Sequence, residues 1–297
     1  MDQFTNKILA RIRQIPSFPE NIQSLVQAID REDTSASDIA AMVENDPAIS
    51  TNILRLANSA FYGFLGKVSS IRDAVVLIGL REVKNLVLGT TVLKFFPGAS
   101  QSGFQRNDLW RHSVVCAFLT KMLAKEAFLP DPEGSAMVSG LIHDIGKVVL
   151  DQYFPEMFTR VVRKVRDNGV TFSQAEKEVL GYSHNQIGAA LLKMWNFPPE
   201  LVTAVLYHHH PWRDPLQSPV SATVYYANIL AKVLHYPSFN KEPEFTMDLL
   251  NNNDHKLFLE KNGFPTSPEA ISIFLAIAEA RLAMENSGLF TIFSLAA

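Results

Sequence analysis

One cysteine, Cys116, stands in 297 residues, so no intramolecular disulfide can staple the fold, and such sparse use of cysteine suits a reducing cytoplasm. Long apolar runs are missing too: charge interrupts each of them well before it could span a bilayer, which argues against a membrane protein. Neither sign of charge is in excess. The chain carries 27 lysines and arginines against 30 aspartates and glutamates, with a pI near 6.2, so there is no global attraction to nucleic acid. The N-terminus lacks the uncharged core of an export signal, because Asp2, Lys7, Arg11 and Arg13 are spread around Phe4, Ile8, Ile12 and Ile15 as on an amphipathic helix. Sheet-like alternation is also absent, while apolar residues three and four apart recur along the whole chain. What remains is an all-α protein, expected in the cytoplasm with neither a nucleic-acid nor a membrane partner, and with 47% hydrophobic residues to fill a large core.

Helix starts and stops divide the chain. Ile22, Leu25, Val26 and Ile29 form one stripe, and Ser35 with Asp38 has the spacing of a capped helix start ahead of Ile39, Met42 and Val43. Pro47 opens a helix through Ile49, Ile53, Leu56 and Ala57, which ends at Gly63 and Gly66. Ser70 with Asp73 predicts one long helix through Val75, Ile78, Val83, Leu86 and Val87 as far as Pro97, where PGASQSG is the best linker candidate. The predicted organisation is an N-terminal helical lobe over residues 1–103, a histidine-bearing helical block over 104–236 and a C-terminal helical extension over 237–297. The extension holds turn-rich stretches and an apolar helix around Ile271, Phe274, Leu275 and Ala278.

Within the second block, SGLIHDIGKVVL at residues 139–150 sets His143, Asp144 and Lys147 in an otherwise apolar stretch. An unpaired buried charge costs several kcal/mol, on the order of the penalty for breaking a buried ion pair, so His143 and Asp144 need partners. Helical spacing puts Gly140, His143, Asp144 and Lys147 on one face, with Gly140 leaving room for another helix or an ion. His112 shares a stripe with Asp108, Val115, Cys116 and Leu119. Ser183 with Gln186 places His184 at a helix start, and LVTAVLYHHHP ends a helix on His208, His209 and His210, where the helix dipole favours histidine. Any one of these histidines reads as a hydrogen-bonded core residue or a helix cap. Together, inward imidazoles and a carboxylate from several helices make a ligand set for one or two divalent ions: iron, manganese, zinc or nickel. Asp144 matters most, because a carboxylate can bridge two ions that make a bound water nucleophilic.

His112, the adjacent His143 and Asp144, His184, His208 and His209, and the later Asn228 resemble the ligand pattern of the HD superfamily of metal-dependent phosphohydrolases. Five segments in order carry a closer resemblance, to the HDOD (HD-related output domain) branch, over roughly residues 13 to 230. They are IPSFPENIQSLVQAI, NDPAISTNILRLANSAFYG, IRDAVVLIGLREVKNLVL, LIHDIGKVVL and GYSHNQIGAALLKMWNFPPEL. The resemblance implies an all-helical, HD-like bundle acting as a bacterial signalling output or interaction module, in a family with no general assigned reaction. Two departures count against cyclic dinucleotide hydrolysis: Asn228 stands where the pattern ends in Asp, and HPWRDPLQS follows the histidines where the phosphodiesterases have glycine-tyrosine-proline. Asn228 shares a face with Val220, Val224, Ala227 and Ala231, so it still points inward as a weak, uncharged ligand, and Asp108 is a candidate further carboxylate.

Two functions follow. In the first, the centre is structural or regulatory, catalysis is inefficient, and the N-terminal lobe meets an unidentified signalling protein through Phe61, Tyr62 and Phe64, which equally well close the core. In the second, the chain is an active phosphohydrolase on a nucleotide or cyclic nucleotide, a phosphorylated small-molecule ligand, with Lys147 on the phosphate or the developing anion. Lys147 also has Asp144 and Asp151 in reach as ion-pair partners.

Overall fold

A computed structural model describes residues 10–29, 31, 33–58, 67–96, 99–100, 102–126, 135–243 and 253–285. Phe4, Ile8, Phe61, Tyr62, Phe64 and the glycines at 63, 66 and 98 lie outside the described residues. Among the described residues the regular structure is helical, with no strand. The first five helices are α1 (Glu20–Ile29), α2 (Ala36–Glu44), α3 (Pro47–Ala57), α4 (Ile71–Ile78) and α5 (Leu80–Lys94). The histidine-bearing block follows as α6 (Arg106–Glu126), α7 (Ser135–Ile142), α8 (Ile145–Tyr153), α9 (Pro155–Asn168), α10 (Phe172–Leu180), α11 (His184–Met194), α12 (Pro199–Tyr207) and α13 (Pro219–Val233). Two more, α14 (Asn253–Lys261) and α15 (Pro268–Glu285), lie near the C-terminus.

Local chemistry sets the boundaries. Ser35 caps α2 reciprocally: its hydroxyl accepts from Asp38 N at 3.2 Å, and the Asp38 carboxylate accepts from Ser35 N at 2.9 Å. Ser183 and Gln186 make the same box at α11. The single long helix expected from Ser70 to Pro97 is in fact two, because the chain breaks at Gly79 with φ 93° and ψ 148°. That backbone region is open essentially to glycine alone. A second difference falls on the stretch 139–150. Here α7 stops at Ile142 and α8 starts at Ile145, so His143 and Asp144 occupy a turn between helices instead of one helical face shared with Gly140 and Lys147.

One contiguous core runs from Ile12 to Leu282. Phe18 packs on Phe95, Trp195 and Phe197 with ring centroids 6.5, 5.1 and 5.2 Å away, and Trp195 Nε1 donates to Pro16 O at 3.0 Å. These contacts join the first helices to the histidine-bearing block. The linker candidate is tied down at its end: Ser100 and Ser102 donate to Asp151 Oδ1 at 2.6 and 2.5 Å, and Arg106 Nε donates to Asp151 Oδ2 at 2.6 Å. Asp151 is therefore not available to Lys147.

Two glycines let helices meet backbone to backbone. A Cβ on Gly140 would lie 2.9 Å from the carbonyl carbon and oxygen of Cys116, so α7 rests directly on α6, and the room beside Gly140 is taken by a helix. On Gly146 a Cβ would overlap the carbonyl oxygen of His184 and lie 2.9 Å from Gly188 N, which marks the crossing of α8 and α11. Gly146→Ala must separate that crossing and is expected to cost roughly 1–3 kcal/mol or more, the range for overpacking a filled core. Urea denaturation measures it, and an unchanged midpoint would show that the crossing tolerates a methyl group.

Candidate metal centre

Five pieces of chain deliver polar side chains to one interior point. His112 comes from α6, His143 and Asp144 from the turn after α7, His184 from the first residue of α11, His208 and His209 from the end of α12, and Asn228 from α13. Each has a local reason to face inward. His112 lies between the buried Leu109 and Val115 on α6, and the capped start of α11 turns His184 onto the crossing with α8. His112, His143, His184 and His208 are fully buried, and Asp144 is 2% exposed.

The two oxygens of Asp144 face two groups of donors. Asp144 Oδ1 is 3.1 Å from His184 Nε2 and 3.7 Å from His208 Nε2, while His209 Nε2 is 2.9 Å from His184 Nε2. Asp144 Oδ2 is 3.5 Å from His143 Nε2 and 3.9 Å from His112 Nε2. In the first group, donor atoms of Asp144, His184, His208 and His209 all lie within 4.8 Å of one another.

The far side of each ring explains its orientation. His112 Nδ1 donates to Tyr236 O at 2.7 Å, His143 Nδ1 to Gly140 O at 2.8 Å and His208 Nδ1 to Val205 O at 2.7 Å. Carbonyl oxygens only accept, so these rings carry the proton on Nδ1 and present a bare Nε2 inward. His184 Nδ1 donates to the fully buried carboxylate of Glu176 at 2.7 Å, an arrangement that orients metal-ligating histidines and raises their basicity. His184 Nε2 and His208 Nε2 then face each other at 3.4 Å. His143 Nε2 is buried without a hydrogen-bond partner among the described residues. Imidazole nitrogens and a carboxylate with open lone pairs in a buried pocket fit a divalent ion.

Electrostatics keep most of the donors in ligating form. Burial, aided by His143, lowers the His112 pKa to about 3, and burial also pushes His143 down and His208 well down, so these rings are neutral. His184 differs: burial opposes its charge most strongly, but Glu176 and Asp144 together outweigh that and raise its pKa. Burial alone would raise the Asp144 carboxyl, yet Lys147, His143 and His184 hold it well below the usual carboxylate range.

Lys147 sits 2% exposed with Nζ donating to Asp144 Oδ2 at 2.7 Å and to Ser238 Oγ at 2.8 Å. Of its two expected acidic partners, it takes Asp144. Asn228 is 5% exposed, and its Oδ1 has no hydrogen-bond partner among the described residues. It helps to line a cavity of about 320 Å³ together with Lys147, His184, His209, Trp212 and Lys232. Asp108 belongs to neither group of converging donors. Two carboxylates escaped the reading of the sequence. Glu242 lies in a turn-rich stretch and reaches Lys232 at 3.1 Å and Lys147 at 3.7 Å, which no local pattern announces. Glu176 did leave a signal, an acid at the centre of the stripe Phe172, Glu176, Leu180.

An all-helical fold with buried histidines gathered round an aspartate defines a protein of the HD type. The HDOD domain family matches residues 15–211, and the chain belongs to that family. Asn228 lies beyond the matched span. A crystal structure of an HDOD domain protein of unknown function from Geobacter sulfurreducens is similar, with 26% identity, 94% of this chain and 98% of that one covered, and a TM-score of 0.75. So is a candidate phosphohydrolase from Shewanella amazonensis SB2B, with 25% identity, 98% of both chains covered and a TM-score of 0.73. An uncharacterized protein of Treponema pallidum (strain Nichols) is 28% identical over 232 residues, which make up 76% of this chain and 44% of that protein. YuxH of Bacillus subtilis (strain 168) matches at 25% over 117 residues, 28% of its length, so the chain spans less than half of these curated relatives. No described helix is long and apolar enough to cross a membrane.

Removing the outer partner of His184 tests the centre. Glu176→Gln keeps the shape but withdraws the charge, and is expected to weaken metal binding roughly 10–100-fold, as for other outer partners of metal ligands. Competition with a chelator reads the change; equal affinities would show that His184 is not a ligand.

Proposed function

We propose that this chain is a signal-transduction output module of the HDOD type, built round a retained divalent metal centre and without efficient catalysis. His112, His143, Asp144, His184, His208 and His209 hold the ion, with Asn228 as a weak further ligand. Iron, manganese, zinc and nickel all suit these donors. Bound there, the metal would polarise an oxygen or a water, as it does in hydrolases, and it would also lock the helices that supply the ligands.

The observation that carries this reading is the scarcity of negative charge. Asp144, Glu176 and Glu242 bring three carboxylates, while Lys147 and Lys232 are paired within the same buried network. With the imidazoles neutral, as ligation requires, that leaves one net negative charge, which favours one divalent ion over a pair, because Asn228 adds none. A one-metal centre whose carboxylate is shared with Lys147 suits structure or regulation better than hydrolysis. The module would act in the cytoplasm on an unidentified signalling protein.

The cavity favours a second reading. It is lined by His184, His209, Lys147 and Asn228 among others and has room for a phosphorylated small molecule such as a nucleotide or cyclic nucleotide, with Lys147 toward the phosphate. The likeness to the Shewanella phosphohydrolase candidate points the same way.

Elemental analysis of protein purified without added metal, with a screen of phosphomonoesters, phosphodiesters and cyclic dinucleotides, separates the two. Stoichiometric metal without turnover is expected; turnover that His143→Ala abolishes would establish the hydrolase. Asn228→Asp, which adds the missing charge, is expected to raise metal affinity without efficient turnover, and unchanged metal content in a destabilised protein would mark Asn228 as structural.

A further inference from the structure

Two charged residues beside the centre have no place in its ligand pattern. Lys232 on α13 and Glu242 beyond it are buried, their side chains 8% and 3% exposed, with Lys232 Nζ 3.1 Å from Glu242 Oε2. The other oxygen, Oε1, accepts from Ser238 Oγ at 2.8 Å and lies 3.7 Å from Lys147 Nζ. Burial opposes the charge on Glu242, but Lys232 and Lys147, helped by Ser238, outweigh it and hold the carboxyl below its ordinary range. A buried ion pair adds little stability over apolar packing of the same volume, so stability alone does not account for the cluster. Lys147, Lys232 and Glu242 all line the cavity of about 320 Å³, alongside Trp212 and Tyr225. The turn that carries Glu242 is anchored away from the lysines. Glu242 N donates to Phe239 O at 3.0 Å, and the buried Phe239 has its ring centroid 6.1 Å from that of Phe104 and 5.9 Å from that of Phe172.

We propose that Lys147, Lys232 and Ser238 form a binding site for the phosphoryl group of a small phosphorylated molecule, and that Glu242 fills this site in the free protein and yields it to the ligand. The inference rests on the cavity of the second reading above, and needs neither hydrolysis nor a bound ion. Two ammonium groups and a hydroxyl converge on one carboxylate. Lys147 uses two of its three N–H groups on Asp144 and Ser238, which leaves the third for an anion in the cavity. A phosphate monoester brings a charge of about −1.5 to −2 at neutral pH and three acceptor oxygens, so it satisfies these donors more fully than a carboxylate does. The rest of the molecule has the cavity, where Trp212 and Tyr225 suit a flat group such as a base. Displacement needs only the torsions of one side chain, because Phe239 keeps the turn in place and the adjoining Lys241 is already exposed. Competition from within also confers selectivity: a weakly bound anion does not evict a tethered carboxylate, and a phosphoryl group held by both lysines does.

Titration calorimetry of the full chain as purified, with inorganic phosphate, adenosine monophosphate and adenosine as probes, reads the competition. Glu242→Gln keeps the length of the arm and removes its charge. It is expected to bind phosphate and the monophosphate roughly tenfold or more tightly than the wild type, the factor for a site open about a tenth of the time or less. Adenosine, which lacks the phosphoryl group, is expected to show no such gain, and Lys232→Met added to Glu242→Gln is expected to abolish it. Equal or weaker binding of both phosphoryl probes by Glu242→Gln would overturn the inference. So would a gain that survives Lys232→Met, because the phosphoryl group would then sit elsewhere; monophosphate binding in either case leaves the cavity reading standing. No monophosphate bound by either protein would overturn both. Should Glu242→Gln fail to fold, a crystal structure of the wild type with adenosine monophosphate decides. The phosphoryl group between Lys147 and Lys232, with Glu242 turned away, is the expected result, and a carboxylate still held between the lysines would overturn the proposal.

Discussion

Asp144 is a carboxylate buried among imidazoles, and the interior is arranged around the need to satisfy it. Left alone it would be protonated or would destabilise the fold by several kcal/mol, on the order of the penalty for an uncompensated buried charge. Lys147 engages one oxygen, and four histidines crowd the two of them. Each ring is in turn fixed from behind by a carbonyl or by Glu176. The group therefore holds its shape as a unit, and bare ring nitrogens directed at one anion are what a cation requires.

The backbone serves the same end. Gly146 lets α8 touch the first turn of α11, which sets His184 against Asp144, and Gly140 lets α7 rest on α6, which sets His143 beside His112 and Cys116. A side chain at either glycine would push a ligand-bearing helix away. The first helices lie behind this arrangement, joined to it through Phe18, Phe95 and Trp195 and through the residues gathered on Asp151, so the centre sits in a continuous core.

Much of this was readable in the sequence because it is local. Capping pairs such as Ser35 with Asp38, prolines in first turns and the inward stripe of Asn228 depend on residues a few positions apart. The break at Gly79 was missed because apolar spacing continues across it, and the turn at His143 and Asp144 because two residues barely disturb a helical pattern. Glu242 was out of reach for another reason: only the tertiary fold brings a turn after α13 to Lys147 and Lys232. Cys116 was visible on the His112 stripe, but its nearness to His143 depends on a helix crossing at Gly140.

The central claim is that these residues hold a metal ion. An anomalous-difference map, from crystals of protein prepared without chelator or added metal, locates such an ion without reference to activity. The account predicts a peak within bonding distance of the Asp144 carboxylate and of inward Nε2 atoms. A map without a peak there, with ordered water bonded to His143 Nε2 and Asp144 Oδ1 instead, would contradict it.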